Sequence, residues 1–173
     1  MARPTTFRCV AAIAASVALT SASCSGHSDK GSAGGSPVTT TPATAPRVVD
    51  PCVLVSLTDA GTLTGSTMLP GLGVRTDNPD DRTCTYTAAS DAPAAQVEVL
   101  IGPRAKDALD HDRGLGRKIT DVARVGHEAH EEDGAIFFRK KTTWVAVRVT
   151  GSVNPAVLRP RLVTLARKVT PLI

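Results

Sequence analysis

Cys24 and what precedes it decide how much of this chain is left to fold. A short basic start (Arg3, Arg8) leads into an eleven-residue apolar run, Cys9 to Leu19, and then the small residues Ser21, Ala22 and Ser23. A membrane-spanning helix needs roughly 20 apolar residues, so the run fits the hydrophobic region of a cleaved export signal. A buried core helix would show a polar face, and here only Ser16 is polar. With no Arg-Arg pair, general export fits better than the twin-arginine route. Residues 1–23 therefore read as a signal peptide and Cys24 as the residue that is lipidated. Bacterial lipoprotein signals usually place a large aliphatic residue three positions before the cysteine. Ser21 stands there, with Leu19 two residues further back. Ser21 and Ser23 also suit ordinary signal peptidase, whose product would be a secreted protein with a free Cys24.

Residues 24–47 read as a tether. Gly34-Gly35, Pro37, Thr39-Thr40-Thr41, Pro42 and Pro46 carry no hydrophobic period, so the stretch buries too little surface to offset its ordering entropy. A coil of this length spans roughly 25–30 Å, and its Thr/Pro content suits O-linked sugars. What remains, residues 48–173, suits one domain with one core. The whole chain carries a net charge of +4, but removing Arg3 and Arg8 leaves 18 basic against 16 acidic residues, or +2. That balance, with only 3% aromatic residues, gives no sign of a nucleic-acid partner. Of the four cysteines, Cys9 leaves with the signal and Cys24 is the lipid acceptor. In an oxidising compartment Cys52 and Cys84 would usually pair. A zinc pair or two reactive thiols is the alternative, without a C-x-x-C to favour it.

The spacing predicts an α+β fold: a single antiparallel sheet of about four or five strands with helices packed on one face, including a C-terminal helix. Asp50 and Pro51 are a cap and first residue for a helix whose Val53, Leu54 and Leu57 share a face. Thr58 and Asp59 open a weaker segment holding Ala60 and Leu63. Residues 65–73 read as a loop and Asn78 to Asp81 as a turn. Strands are predicted over 83–87, with Cys84 and Tyr86 on one face, and over 96–101, where Val97, Val99 and Ile101 alternate. A helix over 104–112, an extended stretch over 118–125, and a hairpin of 135–139 with 144–150 follow. On that hairpin Phe137 and Phe138 face opposite ways, one into the core and the other under a helix or onto a partner surface. Asn154 and Pro155 open the last helix, with Leu158, Leu162, Leu165 and Val169 as its stripe and Pro160 as the start of its regular part. Its basic residues, Arg159, Arg161, Arg167 and Lys168, read as a solvated face.

Asp50-Pro51-Cys52 opening a short helix, then Cys84-Thr85-Tyr86, in a chain with a lipoprotein signal, resembles an actinobacterial lipoprotein family of unknown function. That family is marked by Asp-Pro-Cys and a later Cys-x-Trp. Here Tyr86 replaces the usual Trp, and Gly126-His127-Glu128-Ala129 stands where Gly-Asp-x-Ala is common. The resemblance implies a disulfide, a sheet with helices and an envelope location, and brings no catalytic residues. Extracellular sensor domains of actinobacterial kinases are similar in plan only.

The densest polar cluster is His127 to Asp133, with two imidazoles and four carboxylates in seven residues. Zinc would accept such ligands, but the spacing is not H-E-x-x-H, so the segment reads as a hydrophilic turn between Gly126 and Gly134. Asp110-His111-Asp112 reads as surface helix, since no G-x-S-x-G supplies a nucleophile. Gly114-Leu115-Gly116-Arg117-Lys118 reads as a glycine turn with solvated basic residues. The expectation is a non-catalytic envelope lipoprotein, held to the membrane through its N-terminal lipid, that binds a protein partner or an apolar ligand. It assigns no catalytic, cofactor or metal residues. The alternative is a metal-dependent or other hydrolase using the His127/His130 region.

Overall fold

The computed structural model describes residues 49–173. The signal peptide expected over 1–23, Cys24 and the whole of the tether expected over 24–47 lie outside the described residues. Helices α1 (Pro51–Leu54), α2 (Leu57–Thr64), α3 (Pro103–Gly114) and α4 (Pro155–Val169) accompany seven strands. These are β1 (Leu72–Arg75), β2 (Arg82–Thr87), β3 (Ala95–Ile101), β4 (Thr120–Asp121), β5 (Glu128–Glu132), β6 (Ala135–Lys140) and β7 (Thr143–Gly151). They form one sheet in the order β1-β2-β3-β7-β6-β5-β4, with every neighbouring pair antiparallel.

The fold is thus α+β with a single antiparallel sheet and a C-terminal helix, but the sheet has seven strands rather than four or five. The two unexpected strands are β1, whose side chains are all exposed, and β5, whose sequence Glu-Ala-His-Glu-Glu has no apolar alternation. The extended stretch expected over 118–125 shrinks to β4.

Helices cover both faces of the sheet, not one. On the first face Val97, Val99, Ile101, Ile136, Phe138, Val145 and Val147 meet Leu54 of α1, Leu63 of α2 and the Leu158, Leu162, Leu165, Val169 stripe of α4. On the second face Leu100, Phe137, Trp144 and Ala146 meet Ala105 and Leu109 of α3. Strand alternation separates the two sets, so Phe137 and Phe138 enter different cores and both are fully buried. An apolar residue at 100, 137 and 146 needs cover on the second face, and α3 supplies it with only two buried aliphatic contacts.

Local signals explain the helix ends. Asp50 accepts a hydrogen bond from Cys52 N at 2.8 Å and Pro51 takes the first turn of α1. The chain then breaks at Val55, because Ser56 and Asp59 form a reciprocal capping box that starts α2 at Leu57, with Ser56 rather than Thr58 as its cap. The break leaves Val53 and Leu57 exposed instead of sharing a buried face with Leu54. Asn154 caps α4, and that helix runs from Pro155 straight through Pro160 rather than starting there. The hairpin of β6 and β7 turns at Lys141-Thr142 as expected.

Candidate functional site

The segment 127–133 is not a solvated turn. Residues 128–132 form β5, hydrogen-bonded between β4 and β6, and His130 and Glu131 are buried. Gly126 makes this possible. Its φ of 56° turns the chain, and a Cβ there would lie 2.3 Å from the carbonyl oxygen of Arg139. His127 N then donates to that same oxygen at 2.8 Å and the strand begins.

Alternation sends Glu128, His130 and Glu132 to the α3 face and Glu131 to the α4 face, where Arg159 donates to its carboxylate. His130 is held on both nitrogens: Nδ1 lies 2.8 Å from Asp121 Oδ1, and Nε2 lies 3.0 Å from Glu128 Oε1 and 3.1 Å from Arg113 Nη2. The hydrogen bond with His130, against the opposing effect of burial, and that from Arg139 hold the Glu128 carboxyl below its ordinary range. No ring nitrogen of His130 is left to activate a nucleophile. His127 points elsewhere: it is exposed, and its Nδ1 accepts from Lys141 N at 3.1 Å. The two histidines do not share a site, and among the described residues no group of three or more His, Cys, Asp or Glu side chains is arranged to hold a metal ion.

Next to His130 sits a tighter arrangement that the sequence reading missed. Asp112 of α3 is buried rather than part of a surface helix, although its neighbours Asp110 and His111 are exposed. Arg148 Nη2 lies 2.5 Å from Asp112 Oδ2 and 3.4 Å from Glu132 Oε1. Arg117, in the glycine turn after α3, reaches the same two carboxyls at 3.4 and 3.7 Å. Ala135 lies between Glu132 and Arg148 in the register, and its small side chain lets the pair meet across it. Burial, then the adjacent Asp112 carboxyl, push Glu132 above the ordinary glutamate range against the pull of both arginines. Two open clefts flank this cluster. One of about 440 Å³ runs between Arg117, Glu132 and the start of α4. One of about 240 Å³ lies toward Glu98 and Arg148. A sequence signal existed: Arg148 is the one charged residue in the otherwise apolar strand from Trp144 to Val149.

At the opposite end of the sheet Cys52 and Cys84 form a disulfide joining α1 to β2, with Cα atoms 5.3 Å apart. Tyr86, two residues on and on the same face, donates from its hydroxyl to Val55 O and, at 3.1 Å, to Cys52 O. Burial, then Asp50 and Asp59, push its phenol above the ordinary range. Gly71 passes so close that a Cβ there would lie 2.6 Å from Cys84 Sγ and 2.7 Å from the Tyr86 ring. The chain then runs into β1, the sheet edge, where Leu72 is 73% and Val74 56% exposed. Both belong to the α3 side, in register with Thr85 and Thr83, and α3 does not reach that far.

Compared with known proteins, the chain matches no family model, no curated protein and no solved structure.

Proposed function

We propose that this chain is an exported lipoprotein, held by a lipid on Cys24 to the outer face of the cytoplasmic membrane, whose domain docks a protein of the cell envelope along strand β1. The observation that carries the docking is the edge itself. At the other edge β4 is two residues long and ends on Asp121, the usual way of blunting an open strand. β1 has neither lysine nor proline, carries its one charge, Arg75, at its last residue, and presents two exposed aliphatic side chains. Its approach is already extended, with Leu69 N donating to Thr87 O at 2.8 Å and Met68 bridged to Ala88. The partner suited to it is an extended segment with alternating apolar side chains, added as a further strand.

Other features agree with export. A disulfide suits an oxidising compartment. The Asp-Pro-Cys and Cys-x-Tyr motifs that resemble the lipoprotein family come together as one unit through the disulfide and the Tyr86 hydroxyl. The apolar-ligand reading has less behind it. Tyr86, Phe137, Phe138 and Trp144 are all buried, the apolar groove between α2 and α4 is only about 260 Å³, and the cleft of about 440 Å³ is lined by Arg117, Glu131, Glu132, Asp133 and Arg159. The hydrolase reading needs His127 and His130 together, and they are apart.

Two outcomes are expected. Cys24→Ala should move the protein from the membrane to the soluble fraction, with the loss of an acyl mass. A variant that stays on the membrane, or a native protein whose Cys24 is unmodified, would contradict the anchor. Photo-crosslinkers at Leu72 and Val74 should capture one partner in intact envelopes, and Val74→Lys should abolish capture while changing stability by less than about 0.5 kcal/mol. Capture that survives Val74→Lys, or that follows a crosslinker at Val157 of α4 instead, would move the docking surface off β1.

A further inference from the structure

We propose that Glu132 carries a proton and donates it to the Asp112 carboxylate, the pair clamped between Arg117 and Arg148, so that the attachment of α3 to the sheet is sensitive to pH. The geometry begins with the two guanidiniums, each of which reaches both carboxyls. All of that contact falls on one oxygen of Glu132. Oε1 meets both arginines, while Oε2 is buried and has no hydrogen-bond partner. The side chain of Glu132 is 3% and that of Asp112 2% exposed, and Oε2 itself is buried.

A carboxylate with a bare, buried oxygen forfeits the hydration of that oxygen and gains nothing for it. A proton changes the arithmetic. Placed on Oε2, it turns the orphan acceptor into a donor, and the neighbouring Asp112 carboxylate is its acceptor. Two carboxyls side by side in a dry place hold one proton between them more readily than two negative charges. The cluster then carries two guanidiniums, one carboxylate and one carboxylic acid.

The remaining charged groups around Glu132 do not supply a counter-charge. β3 contributes Glu98, in register with Arg148, and β6 contributes only Ala135. On its own strand His130 is committed to Asp121 and Glu128, and Asp133 in the following turn is exposed. Lys118 borders the larger cleft as an exposed residue, Arg159 of α4 in the same cleft is held by Glu131, and Arg113 of α3 is held by His130 and Asp110. The acids outnumber the unengaged bases, which favours the proton further.

The sign follows from linkage. A carboxyl that keeps its proton longer folded than unfolded stabilises the fold below the unfolded value, and that contribution is lost as pH rises through the folded one. α3 is fixed to the sheet by few apolar contacts, so this clamp bears on its hold directly.

Carbon NMR of the full chain, following the side-chain carboxyl resonances against pH, tests the idea. Glu132 should titrate at higher pH than Glu128 in the same spectrum, and Asp112→Asn should bring its midpoint down toward the ordinary value. In parallel, Glu132→Gln, which offers an N–H donor where the proton sits, should match the native unfolding midpoint at low pH and exceed it as pH rises. A Glu132 resonance that titrates with or before Glu128, or a midpoint indifferent to Asp112→Asn, would overturn the shared proton. A Gln variant that loses stability relative to the native protein as pH rises would do the same. Should that variant not fold, the native spectrum alone decides.

Discussion

Opening the Cys52–Cys84 bond is expected to cost about 2–4 kcal/mol of folding stability. The residues it joins are 32 apart, and chain-entropy arithmetic for a loop of that size gives roughly 3.5–4 kcal/mol as an upper value. Domains of this kind have about 5–15 kcal/mol in total, so the loss is a large fraction. The position of the bond adds to its weight. α1 is four residues long and could not persist by itself. It stays on β2 through the disulfide, Leu54 and the Tyr86 hydroxyl. Denaturant unfolding of the native protein, the reduced protein and a Cys52→Ala, Cys84→Ala double variant measures this. The two altered forms should agree with each other and unfold at a lower midpoint. An unchanged midpoint would mean that the bond closes a loop already held by packing.

Phe137→Ala and Phe138→Ala are each expected to cost about 3–5 kcal/mol, the range for emptying a fully buried aromatic site. The interest lies in their equality. A sheet covered on one face would make one of these neighbours a core residue and the other a surface residue with an effect near zero. Here Phe138 fills the core under α1, α2 and α4, and Phe137 fills the one under α3, where Arg148 also stacks 5.8 Å from its ring centre. Truncations of this size approach the whole stability of a small domain, so the Leu variants, at about 1–2 kcal/mol each, give the same comparison in folded protein. A Phe137 variant as stable as the native chain would show that α3 contributes no second core.

Much of the plan was legible in the sequence because the apolar side chains repeat at the right spacing. Val97, Val99 and Ile101, the hairpin of Phe137, Phe138 and Trp144, and the leucine stripe of α4 announce their elements. Asp50-Pro51 marks its helix through cap chemistry. The rest was hidden for identifiable reasons. β5 is held by hydrogen bonds and ion pairs, and a strand whose buried residues are Ala129, His130 and Glu131 has the composition of a loop. β1 has no buried side chain at all, so nothing in its sequence reports that its backbone is paired with β2. α3 shows only Ala105 and Leu109 as buried aliphatics, too little to say which face of the sheet it would cover. The polar cluster joins residues far apart in the chain, Asp112, Arg117, Glu132 and Arg148, and no local pattern could link them. Arg148 was the available clue, a charge in the middle of a valine-rich strand.

The disulfide also decides how the domain responds to being pulled. A chain tied at its N-terminal end to a surface receives force through Val49 and Asp50. At Cys52 that force has a covalent path straight across to Cys84 in β2. The 31 residues between the two cysteines, including α2 and the edge strand β1, lie on a closed loop outside the load line. Tension between such an anchor and the C-terminal end would therefore bear on the hydrogen bonds that hold β2 to β3, while β1 is spared direct extension. A partner seated on that edge would be joined to the leash through the disulfide and the β1–β2 pairing, with α2 outside the path.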